Sequence, residues 1–296
     1  METSTTEQTR LASRIDPALR IARVKLAVAD LSRSADFYER VLGLPVISRD
    51  DETASLGFDD EDARLELSQI ADPVTVTEPS TGLFHVAWLH PSRAALAETV
   101  RRVARSRWPF EGASDHGVSE ALYLSDPDGL GIEIYADRPR EQWERSPGGD
   151  GVRMYTMPLD LDDLLAQGPN EPADAMAPET VVGHVHLKVS DVPRATAFYR
   201  DALGFGVEAE MPQAAFLAAG GYHHHVGLNS WQSRGAGAPP ESAPGLRGVH
   251  FALSGPAALE ELERSLAGAP SLPAGTRGED GAVRVSDPDG HRLTFS

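Results

Sequence analysis

VADLSRSADFYERVLGLPV at residues 28–46 and VSDVPRATAFYRDALGFGV at residues 189–207 are one element written twice. Just upstream of the first copy and into it, Val24, Leu26 and Val28 alternate along one face of a strand. Asp30 stands where a helix N-cap belongs, Ala35, Tyr38 and Leu42 follow at helical spacing, and Gly43 is a stop just past them. Strand-like runs at 45–49, 53–58 and 63–68 complete a β-α-β-β-β unit. A second unit has a strand over 83–89, a helix over 91–105 and closing strands around the turn Asp126-Pro127-Asp128-Gly129. That closing stretch also repeats, as LYLSDPDGLGIEIYAD and VRVSDPDGHRLTFS. Asp30 to Asp191 and Asp126 to Asp287 are each 161 positions, so a block of two units is duplicated. The chain reads as α+β, with four βαβββ motifs at 20–70, 83–137, 181–232 and 246–296. Residues 1–19 read as a polar tail, 20–137 as an N-terminal domain and 181–296 as a C-terminal domain. The Pro-, Gly- and Asp-rich stretch 138–180 reads as an interdomain segment with one short helix near 160–166.

Composition narrows the function. The 296 residues carry 45 acidic and 27 basic side chains, a net charge of −18. Nucleic acid and anionic membrane surfaces both require basic faces, so neither is an expected partner. There is no cysteine, which removes disulfides, thiolate metal sites and thiol nucleophiles. Any metal must be held by His, Asp or Glu. The polar opening METSTTEQTR lacks a signal pattern and no apolar run reaches membrane-spanning length; the expectation is a cytoplasmic protein.

Three of the ten histidines stand in a row in GGYHHHVGLNSW, residues 220–231. Read as a strand, the run puts His223 and His225 on one face and His224 on the other. Which of the three faces a site stays open on this stretch alone, and a solvated or hydrogen-bonded cluster is the plain alternative.

The doubled strand–Asp–helix–FYxxxLG signature and the closing DPDG strand resemble the vicinal oxygen chelate superfamily, which includes glyoxalase I, bleomycin-resistance proteins and type I extradiol dioxygenases. More narrowly, GGYHHHVGLNSW with SDHGVSEALYLSDPDGLGIEIYADRPR is similar to two-domain bacterial catechol 2,3-dioxygenases of the CatE type. The resemblance covers nearly all of 20–296. It implies that motifs pair into two incomplete barrels, one pair cupping a divalent metal held by two His and one carboxylate.

Carried over residue by residue, the ligand positions are Arg23, His85 and Glu133 in motifs one and two, and His184, His250 and Thr294 in motifs three and four. Neither set is complete, and a guanidinium cannot be a ligand. Pairing motif two with motif three gives His85, Glu133 and His184, which is complete. Motif one with motif four would then form a vacant barrel. The resemblance also implies an acid/base role for His225, as the second of a His-His pair before a small apolar run. Tyr123, ten residues before Glu133, and His116 upstream of it would hydrogen-bond the substrate.

The implied activity is Fe(II)-dependent extradiol cleavage of catechol or a substituted catechol with O₂; Mn(II) is the alternative metal. The partners are then a small aromatic diol and O₂, with homo-oligomer formation left open. A metal lyase or isomerase of the glyoxalase kind is the runner-up, and a non-enzymatic small-molecule binding protein on the same fold is a third reading.

Overall fold

The computed structural model describes residues 14–59, 63–145, 151–269 and 275–296. Motif one contains β1 (Arg20–Val28), α1 (Leu31–Phe37), β2 (Val46–Arg49), β3 (Thr53–Gly57) and β4 (Ala63–Gln69). Motif two contains β5 (Gly82–His90), α2 (Arg93–Arg105), β6 (Gly112–Asp115), β7 (Ser119–Ser125) and β8 (Gly131–Asp137). The short helix α3 (Leu161–Ala166) lies in the connecting segment. Motif three contains β9 (Val181–Lys188), α4 (Val192–Ala197), β10 (Gly206–Met211), β11 (Ala214–Ala218) and β12 (Val226–Asn229). Motif four contains β13 (Gly245–Ala252), α5 (Pro256–Ala267), β14 (Thr276–Arg277), β15 (Val283–Ser286) and β16 (Arg292–Phe295).

The strands form two eight-stranded sheets. One runs β14-β15-β16-β13-β1-β4-β3-β2, the other β10-β11-β12-β9-β5-β8-β7-β6. Each is joined at its centre by an antiparallel pair drawn from the two halves of the chain, β1 with β13 and β5 with β9. Motif one therefore pairs with four, and two with three, as the distribution of ligand-type residues demanded.

Local chemistry explains the repeated signature. Asp30 and Asp191 cap α1 and α4, accepting from the backbone N–H of Arg33 and Arg194. Both helices continue through a π-helical turn, Tyr38–Leu42 and Phe198–Ala202. That turn carries the tyrosine of each aromatic pair, Tyr38 and Tyr199. Tyr38 Oη donates to Asp126 at 3.3 Å, and Tyr199 Oη to Asp287 at 3.2 Å. Asp128 accepts from the Ala29 N–H at 2.8 Å and pairs with Arg33, while Asp289 holds the Ser190 hydroxyl and Arg194. The FY signature of one motif thus clasps the DPDG turn of the next, and the clasp crosses from one sheet to the other. Burial pushes the Asp126 carboxyl up to about 6.

Strand alternation separates two faces. Val86, Trp88, Ile132, Ile134, Val185 and Leu187 join one continuous core that includes residues of both sheets. On α2, Leu96, Val100 and Val103 present a stripe at helical spacing, each buried. Such a side chain contributes about 1.5–3 kcal/mol. The opposite strand face carries His85, Ala87, Glu133, Tyr135, His184 and His186, which line a cup.

Two stretches differ from expectation. Residues 14–19, read as the end of a polar tail, are anchored: Arg14 and Ile15 donate backbone N–H bonds to the Gly204 carbonyl, and Ile15 and Leu19 are buried. Residues 1–13 of that tail lie outside the described residues. The connecting segment is also well tied. The buried Arg102 guanidinium bonds the carbonyls of Leu42, Ala173 and Ala175, fixing that segment against α2.

Candidate metal centre and cavity

His85 on β5, Glu133 on β8 and His184 on β9 meet at the floor of the cup, all three buried. The register explains the meeting. Ala87 of β5 lies between Glu133 on one neighbour and His184 on the other, and His85 is one cup-facing position further along. His85 Nε2 is 3.0 Å from Glu133 Oε2 and 3.3 Å from His184 Nε2, and His184 Nε2 is 3.2 Å from Glu133 Oε2. Three donor atoms about 3 Å apart have the separation of mutually cis ligands, each about 2.1 Å from one ion.

Electrostatics fit the same occupant. Burial pulls His184 down to about 4, so its imidazole is neutral at pH 7 and has a lone pair to offer. Burial pushes the Glu133 carboxyl up, but contacts with His184 and His85 outweigh it and hold the group well below the usual carboxylate range. The buried carboxylate and the two imidazoles beside it are together a donor set for a cation. His184 Nδ1 has no hydrogen-bond partner. Among the described residues this is the one such cluster of His and carboxylate groups. The residues present therefore fit a divalent metal.

Among the described residues, the equivalent cup of the other sheet holds no such set. Arg23 lies opposite His250, and His250 opposite Thr294. Arg23 bonds the Ala63 carbonyl and Glu66, and His250 Nε2 is 2.8 Å from the Ser296 hydroxyl.

Above the triad is a cavity of about 380 Å³, a size suited to a small ligand. Its walls include Phe84, Phe216, Trp231 and Met211, with His85, Glu133 and His184 at one end. Tyr123 and His116 also line it, and their Oη and Nε2 atoms are 2.7 Å apart. His116 Nδ1 is 2.8 Å from the Tyr155 carbonyl, which accepts only an N–H, so Nε2 is the acceptor for the Tyr123 hydroxyl. Burial, with the Glu133 carboxylate nearby, pushes the Tyr123 phenol up, so it stays protonated.

The histidine run departs from its reading as a strand. β12 begins only at Val226, after a turn in which Gly220 and Gly221 take φ values of 58° and 67°. Strand alternation does not extend back through that turn. His224, not His225, lines the cavity, its ring centroid 4.0 Å from that of His184. His225 turns away from it: its Nδ1 accepts the Ala219 N–H at 3.2 Å, and its ring packs 5.0 Å from Tyr222. Placement of His225 in the cup is thus corrected to His224. His223 is buried behind it.

Two contributors escaped the sequence reading. His186 lines the cavity beside Phe84 and Trp231, and its buried Nε2 lacks a partner. The spacing of His184 and His186 in one strand was the available signal. Met154, Tyr155 and Thr156 also form a wall, although they belong to the connecting segment. A bridge between Asp115 and Met157 holds that segment beside β6.

The profile of the Glyoxalase/Bleomycin resistance protein/Dioxygenase superfamily matches residues 20–134 and 181–295. A catechol-2,3-dioxygenase of Bacillus subtilis (strain 168) is 43% identical over 229 residues, which span 76% of this chain and 80% of that protein. A lactoylglutathione lyase of Shigella flexneri is 30% identical over 132 residues, 40% of this chain and 94% of the lyase. Glyoxalase I from Zea mays shares the fold at a TM-score of 0.55 and 18% identity, over 94% of this chain and 92% of that one. The chain belongs to the Glyoxalase/Bleomycin resistance protein/Dioxygenase superfamily and is an enzyme of its dioxygenase kind.

Proposed function

We propose that the protein cleaves the ring of catechol or a substituted catechol beside the diol, inserting both atoms of O₂, with Fe(II) held by His85, Glu133 and His184. The observation that carries this reading is the convergence of these three donors on one face, below an aromatic-walled cavity. Two His and one carboxylate are the donor set of non-haem Fe(II) oxygenases, which keep the remaining positions for substrate and O₂. Similarity to the Bacillus catechol-2,3-dioxygenase supports it. The bound ion would lower the pKa of a coordinated hydroxyl and hold the two reactants side by side.

The chain's own residues supply the rest. Phe84, Phe216 and Trp231 exclude water and give a planar ring apolar walls. The Tyr123 hydroxyl, its proton given to His116, has a lone pair placed to accept from a substrate hydroxyl and orient it. His224 is the imidazole placed to take a hydroxyl proton from the substrate and return it. The lyase reading calls for a fourth protein ligand and a second carboxylate; the cluster among the described residues has three donors and one carboxylate.

The test is to load the protein anaerobically with Fe(II), add catechol and admit air. A yellow ring-fission product with stoichiometric oxygen uptake is expected. Absence of oxygen uptake with every catechol tried, in protein shown to hold iron, overturns the proposal. Replacing His85, Glu133 or His184 by Ala should abolish iron binding, whereas His250→Ala should leave it intact.

A further inference from the structure

His223 connects the cavity to a carboxylate on its far side. Its Nε2 lies 2.9 Å from Asp137 Oδ1, and its Nδ1 lies 2.8 Å from His224 Nδ1. Asp137 ends β8, the strand that carries Glu133. The intermediate ring is held on several sides. Tyr222 packs on it at 4.0 Å between centroids, Trp143 at 5.4 Å and Tyr135 at 6.0 Å. The Tyr135 and Tyr222 hydroxyls are 2.7 Å apart, and Tyr222 Oη donates to Asp137 at 3.4 Å. Gly183 makes room for this arrangement, since a Cβ there would meet Tyr135 Oη at 1.8 Å.

With His223 as the neutral imidazole, the protons along the chain have one polarity. The Asp137 carboxylate has only lone pairs, so His223 Nε2 carries the proton between them. A neutral imidazole has one N–H, so His223 Nδ1 is then an acceptor. The 2.8 Å contact requires His224 Nδ1–H to donate to it. That leaves His224 Nε2 bare, with no protein partner among the described residues, on a ring that lines the cavity.

We propose that Asp137 and His223 are positioning residues that hold His224 in its Nδ1–H form and present a bare Nε2 to the substrate. The catalytic half of this statement rests on the dioxygenase reading; the tautomer does not. The arrangement follows the general logic by which a carboxylate behind an imidazole sets which nitrogen is free to accept a proton.

The tautomer is read directly by long-range ¹H–¹⁵N correlation spectra of the metal-free, full-length protein. In the wild type, His224 should be protonated on Nδ1 only and His223 on Nε2 only. His223→Leu should release His224 to its ordinary Nε2–H form. His223→Asn, whose side-chain oxygen falls near the lost Nδ1, should restore the Nδ1–H form. Asp137→Leu, at a quarter-exposed strand end away from the cavity lining, should move His224 in the same direction as His223→Leu and guards against a folding failure of the buried variant. In iron-loaded protein, His223→Leu should lower kcat by roughly 100-fold with iron content unchanged and KM within about threefold, and His223→Asn should recover most of the loss. Finding Nε2–H on wild-type His224, or an unaltered His224 tautomer in both Leu variants, overturns the proposal. So does unchanged kcat in both Leu variants when His224→Ala is impaired. Correct tautomers in an iron-loaded protein inert toward every catechol would overturn the dioxygenase reading and leave the relay standing.

Discussion

Replacing Glu133 by Gln should abolish the stabilisation that metal gives the protein. Glu133 is 3% exposed, and its neighbours at 3.0 and 3.2 Å are imidazoles rather than fixed cations. Despite burial, the contacts with His184 and His85 hold this carboxylate well below its usual range, so at neutral pH the ionised group contributes to stability even without metal. A glutamine fills the same volume but loses that contribution. Metal-free Glu133→Gln should therefore be less stable than metal-free wild type at pH 7. Metal widens the difference. At 100 times Kd it stabilises the wild type by about 2.7 kcal/mol. At about 2–4 °C per kcal/mol for a chain of this order of size, that raises Tm by roughly 5–10 °C. The variant, having lost the anionic ligand, should not respond. The assay is anaerobic thermal unfolding of both proteins in chelator and in Fe(II) or Mn(II). A metal-induced rise in the variant equal to that of the wild type refutes Glu133 as a ligand. A metal-free variant more stable than metal-free wild type at pH 7 refutes the account of the carboxylate's stabilisation by His184 and His85.

The clasp residue Asp126 has its carboxyl raised by burial from 3.8 to about 6. A raised carboxyl binds its proton more tightly when folded, so this group favours the folded state at low pH and loses that contribution as pH rises from about 4 through about 6. The difference of about two pH units is worth about 3 kcal/mol. Urea titrations should therefore find Asp126→Asn gaining on the wild type by about that amount between pH 4 and pH 7; a gap independent of pH would contradict it. Gly227 lies beside the His186 ring, where a Cβ would come within 2.8 Å, whereas Gly237 faces open space. Gly227→Ala should cost about 1–3 kcal/mol through overpacking, and Gly237→Ala should stay within about 0.5 kcal/mol; equal effects at the two positions would refute the close approach.

The pairing of the motifs was legible because the duplication is unequal. Arg23 and Thr294 occupy ligand-type positions that cannot serve a metal like His85 and Glu133, so only the exchange of motifs assembles a full donor set. The helices were legible for local reasons, since Asp30 and Gly43 mark the ends of the first by capping chemistry that needs no tertiary context. The choice among His223, His224 and His225 was not legible. It depends on two consecutive left-handed glycines that break strand alternation just before β12. The wall built from Met154, Tyr155 and Thr156 was hidden for a different reason. Its Pro- and Gly-rich surroundings resemble a linker, and its position is set by long-range bonds to His116 and Asp115. The strand β6, with the sequence Gly-Ala-Ser-Asp, has neither the apolar alternation nor the β-branched residues that would announce it.

The junction of β1 with β13 has a consequence for how the chain reaches its native state. These strands are separated by more than two hundred residues of sequence, and β5 with β9 by nearly one hundred. A chain emerging from the ribosome completes β1 with an open edge and must shield it until the final motif has been made. The metal-type cup closes first, once motif three is out, while the vacant cup waits for the C-terminus. The sheet without the His85, Glu133 and His184 cluster is thereby the last to be completed, and slow pairing at such sequence separation makes it the step most exposed to pairing with another nascent chain.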